Sequence, residues 1–437
     1  MTPQQETTET NRNMNYNTAT LPNGLRIIHC PSASPVVYCG YAVNAGTRNE
    51  TAEEEGMAHF CEHITFKGTA RRSALQVINC LERVGGELNA FTTKEHTVYY
   101  SAILRDHFTK AADLLTDIVF HSNYPQHEID KEVEVICDEI ESYNDTPAEL
   151  IYDEFENLIF NGHPLGHNIL GTAGRLRTYT TADAMRFTRR HYRPDNAVFF
   201  AYGDLDFNKL VAALCKAAGD TCGAAFTDGG DALLCGERTL YDGNTNNTVV
   251  MPDYAPREVT IERNTHQAHV MIGNRSYSAR DERRTALFLL NNILGGPGMN
   301  AKLNLSLRER HGLVYTVESS MVAYSDTGMW SVYFGCDPHD VKRCRRLVRH
   351  ELDRMMEHAL TPAQLNAAKR QIKGQIAVAC DNRENFALDF GKTYLKYGIK
   401  KDMTALFDRI DALTAEQIRQ VAEDMFAADR LTTLIIR

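Results

Sequence analysis

The alternation of apolar and polar positions divides the chain into a strand-rich opening and a long helical stretch. Leu21-Pro-Asn-Gly-Leu-Arg-Ile-Ile28 sets a turn signal ahead of an apolar run, and Val36 to Val43 is a second strand candidate. Apolar residues recur at helical spacing from Gly56 to Phe66 and from Ala74 to Val84. Val98-Tyr-Tyr-Ser-Ala-Ile-Leu104 returns to the β-branched and aromatic composition of a strand. Helical periodicity then dominates from Asp106 to about Tyr192.

The pattern breaks from about Gly219 to Arg263, where Gly229-Gly230, Asn244-Thr-Asn-Asn247, Pro252 and Pro256 follow one another. This segment reads as a connection between two similar halves. Ala74-Leu-Gln-Val-Ile-Asn79 is matched by Ala286-Leu-Phe-Leu-Leu-Asn291, and each run soon meets a glycine pair, Gly85-Gly86 and Gly295-Gly296. Thr181-Ala-Asp183, a helix and Asp195-Asn-Ala-Val198 are matched by Thr414-Ala-Glu416, a helix and Asp429-Arg-Leu-Thr432. A repeat of roughly 200 residues implies a duplicated domain, because solenoid periods are about 20–50 residues. The limits expected are 15–220 for the first domain, 221–262 for the linker and 263–437 for the second domain.

Length agrees with this division, since 437 residues exceed what one core holds and suit two domains. The formal charge of −10 excludes nucleic acid as the main partner and suits peptides that carry basic residues. No apolar run approaches the roughly 20 residues that span a bilayer, so no membrane segment is expected. Met1 to Thr20 lacks the apolar core of a secretory signal, and its acidic residues are unlike a mitochondrial transit peptide. A cytoplasmic location is the default, and the eleven cysteines, free of CxxC pairs, read as reduced thiols.

The chemistry concentrates in Gly56-Met-Ala-His-Phe-Cys-Glu-His-Ile-Thr-Phe-Lys-Gly68, which holds His59, Glu62 and His63 in the order H-x-x-E-H. Residues four apart share a helix face, so both imidazoles can reach one ion. Glu62 leans over the same place without being consumed as a ligand, which is what a general base needs. Cys61 points about 200° round the helix from His59 and is not taken as a ligand. A third donor is available downstream, where Glu132 and Glu139 stand two helical turns apart on one face. One of them can bind metal while the other steadies the imidazoles. Three protein ligands with an open fourth position is the arrangement of catalytic zinc.

These residues resemble the pitrilysin-type metallopeptidases of family M16, which include insulin-degrading enzyme and the mitochondrial processing peptidases. His59-Phe-Cys-Glu-His63 with Phe66-Lys-Gly-Thr69 resembles that family's inverted zinc motif and its continuation. The resemblance makes Glu139 the third ligand, beside His59 and His63, and Glu132 an outer acid that supports them. It also makes Asn89, Ala90, Phe91 and Thr92, within Gly85-Gly-Glu-Leu-Asn-Ala-Phe-Thr92, part of a substrate-binding edge strand. Leu294-Gly-Gly-Pro-Gly298 and Arg308-Glu-Arg-His-Gly-Leu-Val-Tyr315 resemble the family's arginine and tyrosine motif, so Arg308 and Tyr315 are expected to hold substrate and stabilise an oxyanion.

The fold implied is α+β, two similar domains each built on a mostly antiparallel sheet packed with helices. The function implied is a zinc metalloendopeptidase with one Zn2+ per chain, Glu62 as base, peptides or unfolded segments as substrates, and a homodimer as the assembly. The alternatives are a non-catalytic peptide-binding or assembly subunit of the same fold, and an active subunit that requires a different partner chain.

Overall fold

The computed structural model describes residues 15–218, the two-residue strand 225–226 and residues 250–437. Contacts divide the chain into two compact units. The first takes the chain up to Ile140, Asn168–Val249 and Ala379–Met403, and the second takes Glu141–His167, Val250–Val378 and Thr404–Arg437.

The first unit holds strands β1 (Asn17–Thr20), β2 (Arg26–Pro31), β3 (Val36–Val43), β4 (Glu87–Thr92), β5 (Thr97–Leu104), β6 (Ala197–Gly203) and β7 (Ala225–Phe226). They form one sheet in the order β4-β5-β3-β6-β2-β1-β7, so β4 is an edge strand. Neighbours are antiparallel except β2 and β6, which run parallel. The second unit holds β8 (Glu258–Ile261), β9 (Ala268–Ser276), β10 (Val314–Ala323), β11 (Gly328–Cys336) and β12 (Thr432–Ile436), in the order β10-β11-β9-β12-β8. Here too one pair alone is parallel, β12 with β8. Setting β2 to β6 against β8 to β12 turns one order into the other, including the parallel pair, so the halves are a duplication in space as well as in sequence.

Each sheet is covered on both faces. In the first unit, Cys39, Tyr41 and Phe199 pack against α1 (Met57–Thr65), α2 (Ala74–Glu82), α3 (Phe108–His121) and two later helices, Thr181–His191 and Phe207–Ala217. On the other face, Ile28, Val198 and Phe200 meet Phe386, Phe390 and Leu395 of the helix Arg383–Tyr397. Successive residues of β6 therefore enter opposite cores, which is why Ala-Val-Phe-Phe-Ala reads as an unbroken apolar run. In the second unit, Val270, Trp330 and Phe334 pack with Leu287, Val348 and Phe426, and Met271, Leu434 and Ile436 pack with Leu150, Ile151 and Phe155 of the helix Pro147–Ile159.

The expected domain limits divide the chain by sequence, whereas contact counts Pro147–Ile159 with the second unit and Arg383–Tyr397 with the first. The expected linker 221–262 lies largely outside the described residues, and its last part carries β8. The turn expected at Leu21-Pro-Asn-Gly24 is closed by Gly24 N donating to Leu21 O and leads into β2 at Arg26, but β1, which precedes it, was not expected. Asn-Thr-Ala-Thr in β1 has no apolar run that would mark it as a strand. Cys215 is disulfide-bonded, so the expectation of reduced thiols fails there, although eight other cysteines among the described residues are free. Among the described residues no helix is long and apolar enough to cross a membrane.

Candidate metal centre

Helix α1 carries the H-x-x-E-H residues, and its start is fixed by charge. Glu50 accepts hydrogen bonds from the backbone N–H groups of Gly56 (2.9 Å) and Ala58 (2.7 Å), two of the donors that a helix N-terminus leaves open. Gly56 stands there at φ 83°, and a Cβ on it would come within 2.8 Å of Gly171 Cα, so the entry to the helix requires glycine. Phe60, Cys61 and Ile64 turn into the core, which directs His59, Glu62 and His63 the other way. Cys61 is fully buried, and burial pushes its thiol well above the ordinary range.

The helix α4 (Gln126–Asn144) buries Ile129, Val133, Ile136 and Cys137, leaving Glu132 and Glu139 to face α1. His63 Nε2 lies 3.4 Å from Glu139 Oε2, and His59 Nε2 lies 3.9 Å from the same oxygen. The donors of His59, His63 and Glu139 all fall within 4.8 Å of one another. Ligands about 2.1 Å from a tetrahedral ion stand roughly 3.4 Å apart, so this set fits zinc with little adjustment. Glu132 does something different. Its Oε1 sits 3.0 Å from His63 Nδ1 and its Oε2 2.5 Å from Lys67 Nζ, so it orients the ring and leaves Nε2 aimed at Glu139. Geometry therefore brings Glu139 to the Nε2 atoms of both imidazoles and sets Glu132 behind His63.

The electrostatics separate the two imidazoles. Burial, with His63 nearby, drives His59 down to about 4, so it is neutral near pH 7 and keeps a lone pair. Burial also opposes charge on His63, but the Glu132 and Glu139 carboxylates outweigh it and lift His63 to about 9. His59 Nδ1 is buried with no hydrogen-bond partner among the described residues, so His63 is the anchored imidazole of the pair.

Glu62 is 9% exposed, and burial raises its carboxyl above the ordinary range against the opposing pull of a hydrogen bond from Thr92 and of His63. Thr92 Oγ1 donates that bond to Glu62 Oε2 at 2.6 Å from the end of β4. Asn89, Ala90, Phe91 and Thr92 thus lie on the sheet edge whose last residue touches the proposed base. In the second unit, Arg308 stands on a π-helical turn (Asn304–Glu309) with its guanidinium carbon 5.6 Å from the centre of the Tyr315 ring. Tyr315 is 81% exposed, which is unusual for a large aromatic and leaves its hydroxyl free to meet another molecule. Lys67 was missed by sequence reasoning, although its place four residues after His63 puts it on the ligand face of the same turn.

Fold and converging donors together define a duplicated α+β protein with a candidate metal centre in its first half. The chain belongs to peptidase family M16. Residues 28–173 match the model for insulinase (peptidase family M16), and residues 178–372 match the model for the peptidase M16 inactive domain. An uncharacterized zinc protease of Streptomyces coelicolor is 34% identical over 410 residues, covering 93% of this chain and 86% of the relative. The uncharacterized zinc protease YmxG of Bacillus subtilis is 29% identical over 419 residues, covering 95% and 97%. A protease from Helicobacter pylori of known crystal structure has the same fold, with a TM-score of 0.84 at 20% identity over 97% of this chain and 99% of that one.

Proposed function

We propose that this chain is a zinc metalloendopeptidase that hydrolyses peptides or unfolded segments, with one Zn2+ held by His59, His63 and Glu139. The observation that carries the reading is the convergence of those three donors beside a buried carboxylate, Glu62, that none of them uses. The relatives' description as zinc proteases supports it. Zinc in this place supplies a Lewis acid, which polarises a scissile carbonyl and makes a neighbouring water more acidic.

The protein's own residues do the rest. An extended peptide adds to the free edge of β4, where main-chain pairing reads little sequence. Glu62, through the oxygen not bonded to Thr92, takes a proton from the attacking water and returns it to the leaving amine. A carboxylate raised by burial is a stronger base than an exposed one and so takes the water's proton more readily. Arg308 and Tyr315 are assigned to the substrate backbone and the developing oxyanion. The working assembly is a homodimer, which sedimentation of the purified chain checks.

The test measures zinc content and hydrolysis of a pool of unstructured peptides, in wild type and in Glu62→Gln. About one zinc per chain in both, with hydrolysis in the wild type alone, is the expected result. Zinc without hydrolysis in either would favour the non-catalytic subunit or the missing-partner reading instead.

A further inference from the structure

We propose that Thr92 is a positioning residue for Glu62, so that the strand which binds the peptide also aims the base. This rests on the peptidase reading. Thr92 closes β4, pairs across the sheet with Thr97, and reaches over to the carboxylate of a residue 30 positions earlier in the chain.

The hydrogen count fixes the direction of the bond. A threonine hydroxyl has one proton to give. Thr97 Oγ1 gives its proton to the Ala45 carbonyl at 2.9 Å, so it has none for Thr92, whose oxygen lies 3.4 Å away. The Thr92 proton goes to Glu62 Oε2 at 2.6 Å. Glu62 Oε1 is then the oxygen left for water, and rotation of the carboxylate is opposed by a charge-assisted bond in a buried place.

The consequence reaches the substrate. Asn89, Ala90 and Phe91 precede Thr92 on the edge strand, and a peptide that pairs with their backbone holds the same short strand in place. Occupation of the edge and orientation of the base are therefore coupled, and part of the binding energy of a long peptide appears as turnover.

The experiment compares wild type, Thr92→Val and Thr92→Ser, using zinc content, melting temperature, and kcat and KM on a short peptide and on one long enough to pair along β4. Valine keeps the branched shape that suits a strand and removes the donor. The expected result is a kcat about 10- to 100-fold lower in Thr92→Val, the scale of one hydrogen bond to a charged group. KM and zinc content stay near the wild-type values, and the loss is greater on the long peptide. Thr92→Ser, which keeps the hydroxyl, recovers most of the turnover. An unchanged kcat in Thr92→Val, a change confined to KM, or a Thr92→Ser variant as poor as the valine overturns the proposal while leaving the peptidase reading intact. Hydrolysis that survives in Glu62→Gln removes the base itself and takes the proposal with it.

Discussion

Glu132 offers the sharpest test of the metal centre, because it should matter to zinc without touching it. Its carboxylate sits between His63 Nδ1 at 3.0 Å and Lys67 Nζ at 2.5 Å, and its side chain is 11% exposed. Glu132→Ala leaves His63 Nδ1 without its acceptor and frees the ring to turn Nε2 away from Glu139. Loss of an acceptor behind a metal-bound imidazole lowers affinity about 10- to 100-fold, which is roughly 1.4–2.7 kcal/mol. One hydrogen bond to a charged group gives a similar figure, about 1.5–3 kcal/mol, so the two routes to the magnitude agree. The assay is competition for zinc between the protein and a chromophoric chelator, with far-ultraviolet circular dichroism to establish that the variant is folded. Glu139→Ala, which removes a donor, should lose more affinity than any Glu132 variant, and Glu132→Gln should fall between wild type and alanine. A folded Glu132→Ala protein that holds zinc as tightly as wild type would refute the orienting role.

Lys67→Met should weaken zinc by a few-fold, and adding it to Glu132→Ala should cause little further loss in the same competition assay, because the two residues act in series. Tyr315→Phe should lower kcat by about 10²–10³ with zinc content unchanged, if its hydroxyl meets the oxyanion. His191 is held neutral by burial and by the positive charge of Arg190, whose Nε donates to His191 Nε2 at 2.8 Å, and its folded value lies at about 4. The unfolded chain takes up that proton near pH 6.5, so stability is lost as pH falls from about 6.5 to 4, by on the order of 1–3 kcal/mol. Urea denaturation at pH 7 and pH 5 should find this slope smaller in His191→Gln. A Cβ on Gly391 would stand 2.7 Å from the Phe200 ring, so Gly391→Ala should destabilise by about 1–3 kcal/mol in thermal unfolding despite alanine's better helix propensity.

How much of this was legible depends on whether the signal is local. The H-x-x-E-H face and the two-turn spacing of Glu132 and Glu139 lie within single helices, where periodicity alone decides which side chains meet. Strand order was not legible, because the repeat implied two similar sheets without saying how the strands of either are arranged. The bond from Thr92 to Glu62 was not either, because it joins a strand end to a helix 30 residues away and depends on how the β4–β5 hairpin lies over α1. Nor was the unit to which Pro147–Ile159 and Arg383–Tyr397 belong, since an amphipathic helix records that it has a buried face and not which sheet covers it. The disulfide at Cys215 left no mark either, as a cysteine count without spacing does not specify pairing.

The duplication also argues how many metal ions one chain should hold. The helix α4 and the helix Pro362–Cys380 are both 19 residues long and occupy corresponding places in the two halves. Counted from the first residue of each, Glu132 corresponds to Ala368 and Glu139 to Gln375. The segment between β9 and β10 has one histidine, His311, and no H-x-x-E-H, whereas α1, between β3 and β4, has two histidines in that motif. A loop comes close to those amides instead, for a Cβ on Gly298 would lie 2.6 Å from Gln371 Nε2 and 3.7 Å from Gln375 Nε2. Amides and glycine offer no anionic or imidazole donor, so the second half has kept the architecture and lost the ligands. Gln375→Glu would restore a carboxylate but not the imidazoles, and should gain no zinc by elemental analysis. The expected stoichiometry is near one zinc per chain, and a value near two would point to the exposed Asp337, His339 and Asp340, the other group of donors among the described residues that lie close enough together to hold an ion.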